Sequence, residues 1–383
     1  MLCDDSSVMR RLLKGALTAT AEFEVVYEAE NGKEAVENVG RIRPDIVVLD
    51  VEMPVMDGID TARALRRRYR TLPIIMFSSL TSQGASATME ALSAGANDFA
   101  IKPSGTNNFQ EAQAKVQGEL LPKIRNLVST PEDVQEKLGA PKSETVSQVR
   151  KPAASTPQRR EIPAPPAVKA APFSREPVSV DGSSNGKVAV VAIGVSTGGP
   201  EALGRLITKL PKPFPVPILI TQHMPPVFTG LLAERLSLQS GHRVREAGNG
   251  DTVVAGEILI APGDFHLTVI RDKTKVRTVL DQSPPENSCR PSVDPLFRSV
   301  SKVYGRETLA VVLTGMGSDG GEGARVVKQM GGRVFAQDEA SSVVWGMPGY
   351  IASNGLADRV LPVEQIATEL VRAVESKSKP VCV

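Results

Sequence analysis

A serine, a histidine and an aspartate, which together can form a catalytic triad, each follow one of three apolar segments of this 383-residue chain. The segments are 188–193, 217–222 and 308–314. Ser196 follows the first segment, His223 the second and Asp319 the third. A histidine can accept the serine proton, and a carboxylate can fix the histidine tautomer and stabilise the imidazolium. The pattern therefore predicts covalent catalysis by Ser196, assisted by His223 and Asp319.

These side chains can act together only if the fold brings the ends of the three segments to one place. Each segment has the length and composition of a strand that is buried on both faces. Ser196 lies in a glycine-rich turn, 194–200, and Pro200 can begin a helix because its missing N–H would be unpaired there. In an open parallel sheet, neighbouring strands direct their carboxyl ends to a shared crevice. We therefore expect a parallel α/β sheet with Ser196 and His223 on adjacent strands.

Each candidate also has a structural explanation that involves no catalysis. Ser196 could cap the helix that follows it, His223 could be a hydrogen-bonded loop residue, and Asp319 could cap the next helix. The occurrence of all three at separate strand ends favours catalysis. The other two histidines, His242 and His266, are weaker candidates. For His266 we expect a structural role or a place at the edge of the substrate.

The glycine pattern around Ser196 argues against several familiar sites. It matches the G-x-S-x-G nucleophile elbow, but the chain order Ser, His, Asp differs from the Ser, acid, His order of α/β-hydrolases. The glycines lack the G-x-G-x-x-G spacing of dinucleotide-binding folds. No Gly-Lys-Ser/Thr follows them, as it would in a phosphate-binding loop.

A second group of side chains, in the N-terminal part of the chain, predicts a magnesium site. Asp4 and Asp5 follow a short first strand, and Asp50 follows an apolar strand. Three carboxylates at one sheet edge suit Mg²⁺, which prefers oxygen ligands and bridges to phosphate oxygens. Lys102 brings a cation to the same edge, where it could pair with a phosphoryl group, and Ser78 ends another strand beside it. The alternative is an acidic rim that is simply exposed to solvent.

The chain is expected to fold as two α/β domains separated by a linker. Nine of the 29 prolines lie between Pro131 and Pro177, in a stretch with one aromatic residue that cannot bury enough apolar surface to order itself. We therefore place a linker at 130–186, an N-terminal domain at 1–129 and a C-terminal domain at 187–383. In the N-terminal domain, the predicted strands 46–49 and 73–77 alternate with helices at 7–20, 32–40, 58–69 and 83–94.

Composition narrows the possible function classes. The 45 basic and 43 acidic residues give a net charge of +2, so no strong attraction to nucleic acid or to a membrane surface is implied. The three cysteines, Cys3, Cys289 and Cys382, are far apart and give neither a disulfide framework nor a zinc site. The longest apolar runs are of strand length and no signal peptide opens the chain, so we expect a soluble, cytoplasmic protein.

The N-terminal motifs resemble those of the response-regulator receiver family. They lie at 4–6, 49–58, 78–79 and 102–103. The resemblance implies a flavodoxin-like fold in which Asp50 accepts phosphate from a histidine kinase. The metal ligands implied for Mg²⁺ are Asp4, Asp5 and Asp50. The switch residues implied are Ser78 at the hydroxyl position, Phe99 at the aromatic position, and Lys102.

The C-terminal motifs resemble the catalytic domain of the CheB family of chemotaxis protein-glutamate methylesterases. They lie at 194–200, 221–224 and 313–320. The resemblance to the two families covers both domains and leaves the linker and the C-terminal tail unspecified. It implies a doubly wound, Rossmann-like domain with the triad Ser196, His223 and Asp319. Main-chain N–H groups near Met316 would form the oxyanion hole.

A receiver joined to such a domain implies a phosphorylation-regulated enzyme of chemotaxis adaptation. It would remove methyl groups from glutamates of chemoreceptors and deamidate receptor glutamines. The implied partners are methyl-accepting chemoreceptors as substrate and a chemotaxis histidine kinase as phosphodonor, with no nucleic acid and no membrane insertion. Mg²⁺ is implied for phosphorylation of the receiver, and no cofactor is implied for the esterase reaction. In that reaction Ser196 attacks the side-chain carbonyl, methanol or ammonia leaves, and water releases the glutamate.

The start of the chain departs from the receiver pattern. Receivers usually carry several more residues before the paired acids, whereas Asp4 and Asp5 here follow Met1, Leu2 and Cys3. We therefore expect a truncated first strand. Either the start is assigned too late or phosphorylation of this receiver is impaired.

A non-enzymatic C-terminal domain is the alternative interpretation. Receivers commonly act by changing surfaces, so this domain could be a docking or output module. A DNA-binding module is disfavoured because no basic helix stands beside a helix-turn-helix pattern and aromatic residues make up only 4% of the chain.

Overall fold

The structure, a computed structural model, describes residues 1–105, 108–128 and 187–375. It confirms the expected fold class, with two parallel α/β sheets, each covered by helices. The predicted linker at 130–186 lies outside the described residues. Within the described part of the chain, no helix combines the length and the apolar character needed to cross a membrane.

The N-terminal unit is built on a five-stranded parallel sheet with the order β2-β1-β3-β4-β5. Its strands are β1 (Leu2–Cys3), β2 (Glu28–Ala29), β3 (Val47–Asp50), β4 (Ile74–Ser78) and β5 (Asp98–Ile101). Strand β1 has two residues and pairs with both β2 and β3, so one of the two shortest strands lies inside the sheet rather than at its edge. The apolar runs of β3 and β4 are buried along their whole length, as the sequence predicts for strands covered on both faces.

Five helices cover this sheet, and the sequence predicts four of them to within about two residues at each end. They are α1 (Ser7–Thr18), α2 (Gly32–Ile42), α3 (Gly58–Arg68), α4 (Ser82–Ala94) and α5 (Phe109–Val128). Four of them begin at a side chain that accepts a hydrogen bond from a backbone N–H of the first turn, which satisfies a donor that has no helical partner. The capping residues are Ser6, Asn31, Asp57 and Thr81.

The C-terminal unit is built on a seven-stranded parallel sheet with the order β14-β13-β12-β6-β7-β9-β8. Its strands are β6 (Val190–Val195), β7 (Ile218–Gln222), β8 (Arg243–Glu246), β9 (Glu257–Ile260), β12 (Thr308–Val312), β13 (Arg333–Gln337) and β14 (Arg359–Leu361). A separate antiparallel hairpin consists of β10 (His266–Asp272) and β11 (Lys275–Asp281). The helices are α6 (Gly199–Ile207), α7 (Phe228–Ser240), α8 (Val293–Tyr304), α9 (Gly321–Gln329), α10 (Met347–Ser353) and α11 (Val363–Glu375).

The strand order places the three predicted strand ends side by side. Strand β6 lies between β12 and β7, with Gly194 opposite Val312 on one side and Val195 opposite Gln222 on the other. All three strands are parallel and buried along their whole length. The turn after β6 therefore stands between the turns after β7 and β12. The sequence predicts that β6 and β7 are adjacent, and the structure adds that β12 lies on the other side of β6.

The two units pack against each other near this edge. The ring of Phe99, in β5, stacks on the ring of Phe228, at the start of α7, with 4.4 Å between centroids and 9° between planes. Both rings are buried. Arg235 of α7 donates a hydrogen bond of 2.6 Å to the carbonyl oxygen of Met89 in α4. The start of β5 thus faces the carboxyl edge of the seven-stranded sheet.

Candidate active site

Ser196 is held by its backbone at the end of β6. Its N–H donates to the carbonyl oxygen of Thr314 (3.0 Å), and its carbonyl accepts from Gly199 N (2.8 Å) and Gln222 Nε2 (2.9 Å). Gly198, with φ of 76°, occupies the left-handed region and is the N-cap of α6. Ser196 therefore does not cap this helix, and its hydroxyl makes no hydrogen bond within the described residues.

Gly315 allows the turn after β12 to pass close to Ser196. A Cβ at this position would lie 2.7 Å from Ser196 Cβ and 2.5 Å from Met347 Sδ, which no side chain could tolerate. The next residue, Met316, lines the same cavity as Ser196, and its N–H makes no hydrogen bond within the described residues. A free backbone N–H beside a nucleophile is what an oxyanion hole requires.

His223 and Asp319 meet across β6. His223 Nε2 lies 2.7 Å from Asp319 Oδ2. Helix α9 has Gly320 as its N-cap, so Asp319 does not cap it and instead directs its carboxylate toward His223. The carboxylate is buried and also accepts hydrogen bonds from three backbone N–H groups and two side chains. These donors are Val293 N (2.7 Å), Asp294 N (3.2 Å), Gly320 N (2.8 Å), Ser292 Oγ (2.8 Å) and Asn287 Nδ2 (2.8 Å).

These contacts set the charge of the pair. Burial alone would raise the pKa of Asp319, but hydrogen bonds from His223, from Val293 N–H and from Ser292 lower it to about 2. Burial lowers the pKa of His223, but hydrogen bonding to Asp319 outweighs burial and raises it above its usual range. The pair therefore favours an ionised carboxylate that can stabilise an imidazolium.

A cavity of about 230 Å³ opens onto these groups. Ser196, His223, Asp319 and Met316 all line it, so the structure brings the four predicted residues of the C-terminal site together. The rest of the lining includes residues of the N-terminal unit. They are Leu92, Asn97, Asp98, Phe99 and Lys123.

The carboxylates of the N-terminal unit also come together. Asp4, Asp5 and Asp50 place one ligand oxygen each within 4.8 Å of one another. Lys102 Nζ lies 2.7 Å from Asp50 Oδ2 and 3.2 Å from Asp4 Oδ2. Asp4 Oδ2 is buried and has no partner with hydrogen-bond geometry in the described residues. Three acids whose oxygens converge in this way fit a hard divalent cation, so this donor set suits Mg²⁺.

Ser78 lies apart from this acidic group. Its buried hydroxyl donates to the carbonyl oxygen of Gly84 (3.2 Å) and accepts from Thr88 Oγ1 (2.6 Å), both in α4. Ser79 rather than Ser78 lines the cavity beside Asp50.

Comparison with known proteins matches both halves of the chain. The sequence model of the CheB methylesterase family matches residues 191–370, and that of the response regulator receiver domain matches residues 1–114. A protein of Trichodesmium erythraeum named protein-glutamate methylesterase/protein-glutamine glutaminase is 42% identical and covers 98% of both chains. The chain belongs to the CheB family. It is therefore a receiver-containing methylesterase, and nothing in these comparisons supports the non-enzymatic docking module.

Two further CheB proteins are similar to this chain. A Nocardioides protein with the same name as the Trichodesmium protein is 43% identical and covers 97% of this chain and 94% of its own length. The crystal structure of the Thermotoga maritima CheB methylesterase catalytic domain is 46% identical, with a TM-score of 0.48, and covers 49% of this chain and 98% of that one.

The remaining histidines of this CheB protein have structural contacts. His242 is buried, with Nε2 3.3 Å from the carbonyl oxygen of Leu210. His266 is also buried; its Nδ1 accepts from Ser292 N (3.2 Å) and its Nε2 lies 3.2 Å from the carbonyl oxygen of Pro284. His266 thus supports the segment that donates to Asp319, and it does not line the cavity at Ser196.

Sequence reasoning assigned no role to several side chains at this site. Asn287 contacts Asp319, Cys289 Sγ lies 3.5 Å from His223 Nδ1, and Thr197 Oγ1 donates to Asp98 Oδ2 at 2.6 Å. The position of Thr197 directly after Ser196 in the sequence could have indicated a place near the site. Nothing in the irregular segment between β11 and α8 marks Asn287 or Cys289 as neighbours of the triad.

Proposed function

We propose that this chain hydrolyses methyl esters of glutamate on methyl-accepting chemoreceptors through an acyl-enzyme on Ser196. The supporting observation is the strand order: β6, which ends at Ser196, lies between the strands that lead to His223 and Asp319. The side chains of His223 and Asp319 are in hydrogen-bond contact, with 2.7 Å between Nε2 and Oδ2. The Trichodesmium and Nocardioides relatives are named for this activity and for glutaminase activity, so deamidation of receptor glutamines belongs to the same proposal.

The proposed steps use the chain's own groups and water. Ser196 Oγ attacks the side-chain carbonyl carbon of the glutamate ester while its proton passes to His223 Nδ1, since Nε2–H is held by Asp319. The Met316 N–H is placed to donate to the oxyanion that forms. The imidazolium then gives its proton to the leaving group, which departs as methanol from the ester, or as ammonia from the amide in the glutaminase reaction. Water, activated by neutral His223, releases the glutamate.

The N-terminal unit would regulate the esterase reaction. In this proposal residues 1–129 form a receiver, residues 187–383 form the catalytic domain and residues 130–186 connect them. A chemotaxis histidine kinase phosphorylates Asp50, and Asp4, Asp5 and Asp50 would hold the Mg²⁺ that neutralises charge during phosphoryl transfer. Receivers in general are phosphorylated in a Mg²⁺-dependent manner.

The receiver would control access to Ser196 directly, because Asp98, Phe99 and Lys123 line the cavity. The proposed switch residues Ser78, Phe99 and Lys102 lie on or beside β4 and β5, and Phe99 itself packs on Phe228. Rearrangement of Phe99 after phosphorylation would weaken this interface and open the cavity.

Release of methanol from receptor membranes labelled on their methyl groups tests the proposal. The purified full chain should release labelled methanol, and it should release more after phosphorylation. Stable binding to the membranes without methanol release would overturn the esterase assignment and favour a docking role.

A further inference from the structure

Both ring nitrogens of His223 have a partner, and neither partner is Ser196. Nε2 faces Asp319 Oδ2 at 2.7 Å, and Nδ1 faces Cys289 Sγ at 3.5 Å, within reach of a hydrogen bond to sulfur. A carboxylate can only accept, so the ring proton of neutral His223 is on Nε2 and the lone pair is on Nδ1. The lone pair that must receive the serine proton is therefore occupied by the thiol of Cys289.

The position of this thiol is fixed by the turn that carries it, Glu286–Cys289. The turn is closed by two backbone hydrogen bonds, Cys289 N to Glu286 O (2.9 Å) and Glu286 N to Cys289 O (3.2 Å). Between them, Asn287 and Ser288 have φ of 52° and 62°, in the left-handed region that favours glycine. Arg298 Nη2 anchors Glu286 by contacts of 2.7 and 2.8 Å to its two carboxylate oxygens. Strained backbone that is held in this way clusters at functional sites.

The same turn is tied to the other members of the network. Asn287 Nδ2 donates to Asp319 Oδ1 (2.8 Å) and to Asp294 Oδ2 (2.9 Å). On either side of the turn, His266 contacts the backbone of Pro284 and Ser292. The thiol therefore cannot drift away from His223 without disturbing the groups that hold Asp319.

We propose that Cys289 is a positioning residue that competes with Ser196 for His223 Nδ1. The thiol holds the imidazole with its lone pair facing the cavity, and it must give way before Ser196 can transfer its proton. In this exchange the S–H···Nδ1 hydrogen bond breaks, an O–H···Nδ1 hydrogen bond forms, and the Nε2–H bond to Asp319 is kept. The consequence for rate rests on the proposed esterase function, but the contact itself can be tested without activity.

Besides the thiol of Cys289, four charged groups of the described residues lie close enough to His223 to affect its titration. Asp319 contacts the ring, and Asp294 lies behind it through Asn287. From the N-terminal unit, Asp98 and Lys123 line the same cavity. None of these groups changes when Cys289 is replaced, so a shift in the His223 titration reports the loss of the thiol.

The kinetics of three variants show whether Cys289 competes with Ser196 for His223 Nδ1 or only holds the imidazole in place. Cys289→Ala should raise kcat roughly two- to tenfold, the range for one modest hydrogen bond, and should move the acidic limb of the kcat/KM profile to higher pH, because the thiol no longer favours the neutral imidazole. Cys289→Ser keeps a hydroxyl donor beside Nδ1 and should be slower than Cys289→Ala. Ser288→Ala, in the same turn but with an exposed side chain, is the matched control and should match the unchanged protein. A Cys289→Ala protein slower than Cys289→Ser would overturn the competition.

Nitrogen NMR of histidine-labelled protein tests the contact independently of turnover. The chain has three histidines, so a protein without a histidine tag gives few signals. In the Ser196→Ala background, Cys289→Ala should shift the Nδ1 signal and raise the pKa of His223, because an S–H donor to Nδ1 favours the neutral imidazole, while the signals of His242 and His266 stay in place. An unchanged His223 signal would show that the thiol does not bind Nδ1, whatever the outcome of the esterase assay.

Discussion

Asp98 of β5 accepts a hydrogen bond from Thr197, the residue after Ser196, with 2.6 Å between Oδ2 and Oγ1. The carboxylate is buried and its other oxygen lies 3.6 Å from Lys123 Nζ. A carboxylate of the N-terminal unit thus reaches the turn that carries the candidate nucleophile. Because its neighbour Phe99 stacks on Phe228, two consecutive residues of β5 hold the units together.

Removing this carboxylate should unmask the site. Asp98→Ala leaves Thr197 without its partner across the interface, so we expect faster methanol release by the unphosphorylated protein. Complete release of a coupling of 1–3 kcal/mol corresponds to roughly 5- to 150-fold, and one contact among several should give the lower part of that range. Glu111→Ala, which breaks an exposed ion pair with Lys115 in α5, is the control and should leave the rate unchanged. If the basal rate of Asp98→Ala were unchanged, the hydrogen bond from Thr197 to Asp98 would not contribute to inhibition of the unphosphorylated protein.

The order of action of Asp50 and Asp98 can be tested with a double variant. Asp50→Ala should keep the full chain at its low basal rate whether or not a phosphodonor is present. Adding Asp98→Ala should restore the raised rate, because the interface is downstream of phosphorylation. Methanol release with and without acetyl phosphate measures both effects. A double variant as slow as Asp50→Ala alone would mean that phosphate acts on the site by another route.

The sequence predicted the site best where a residue follows a buried strand. Apolar runs identify β6, β7 and β12, and parallel pairing then brings Ser196, His223 and Asp319 to one edge without further information. The acids Asp4 and Asp50 are found for the same reason. In each case local periodicity and one topological rule fix the position.

Contacts that depend on irregular chain or on two units could not be predicted in this way. Cys289 and Asn287 lie in a turn whose backbone has no periodicity, and their direction depends on left-handed dihedral angles at non-glycine residues. The stacking of Phe99 on Phe228 depends on which faces of two separately recognisable units meet. Apolar patterning within one unit does not say which rings of the two units meet.

Loss of any triad member should abolish most activity. Ser196→Ala removes a small hydroxyl that makes no hydrogen bond in the described residues, so folding should be unaffected while methanol release is lost. His223→Ala should be as severe, because triad members act as a unit. Asp319→Asn should lower kcat by on the order of 10³–10⁴ through the wrong histidine tautomer. Circular dichroism checks folding, and more than a tenth of the activity in Ser196→Ala would exclude Ser196 as nucleophile.

Binding of Mg²⁺ by the N-terminal unit should weaken at acidic pH. Burial raises the pKa of Asp50 to about 6, and the hydrogen bond with Lys102 only partly opposes it. A metal must displace the proton from Asp50, so affinity measured by calorimetry should fall as pH decreases through about 6. Asp50→Ala should lose binding, whereas Glu37→Gln, on the exposed face of α2, should keep it. Binding that is equal at pH 5 and pH 7 would place the metal elsewhere.

The pH dependence of catalysis and that of stability should run in opposite directions at His223. The base must be neutral, and hydrogen bonding to Asp319 outweighs burial in raising its pKa above the ordinary value of 6.5. The rate constant kcat/KM should therefore rise with pH, with a limb centred above 6.5. A raised pKa contributes stability that is fully present below the unfolded value and is lost as pH rises through the folded value.

Urea unfolding of the unchanged protein and of His223→Gln measures the second effect. The difference in unfolding free energy between them should be largest below pH 6.5 and should shrink over the pH range in which kcat/KM increases. His242 provides the contrast, because burial lowers its pKa and the stability linked to it changes with pH in the opposite sense. A limb at or below pH 6.5, or a stability difference that does not vary with pH, would show that the Asp319 contact does not favour the imidazolium.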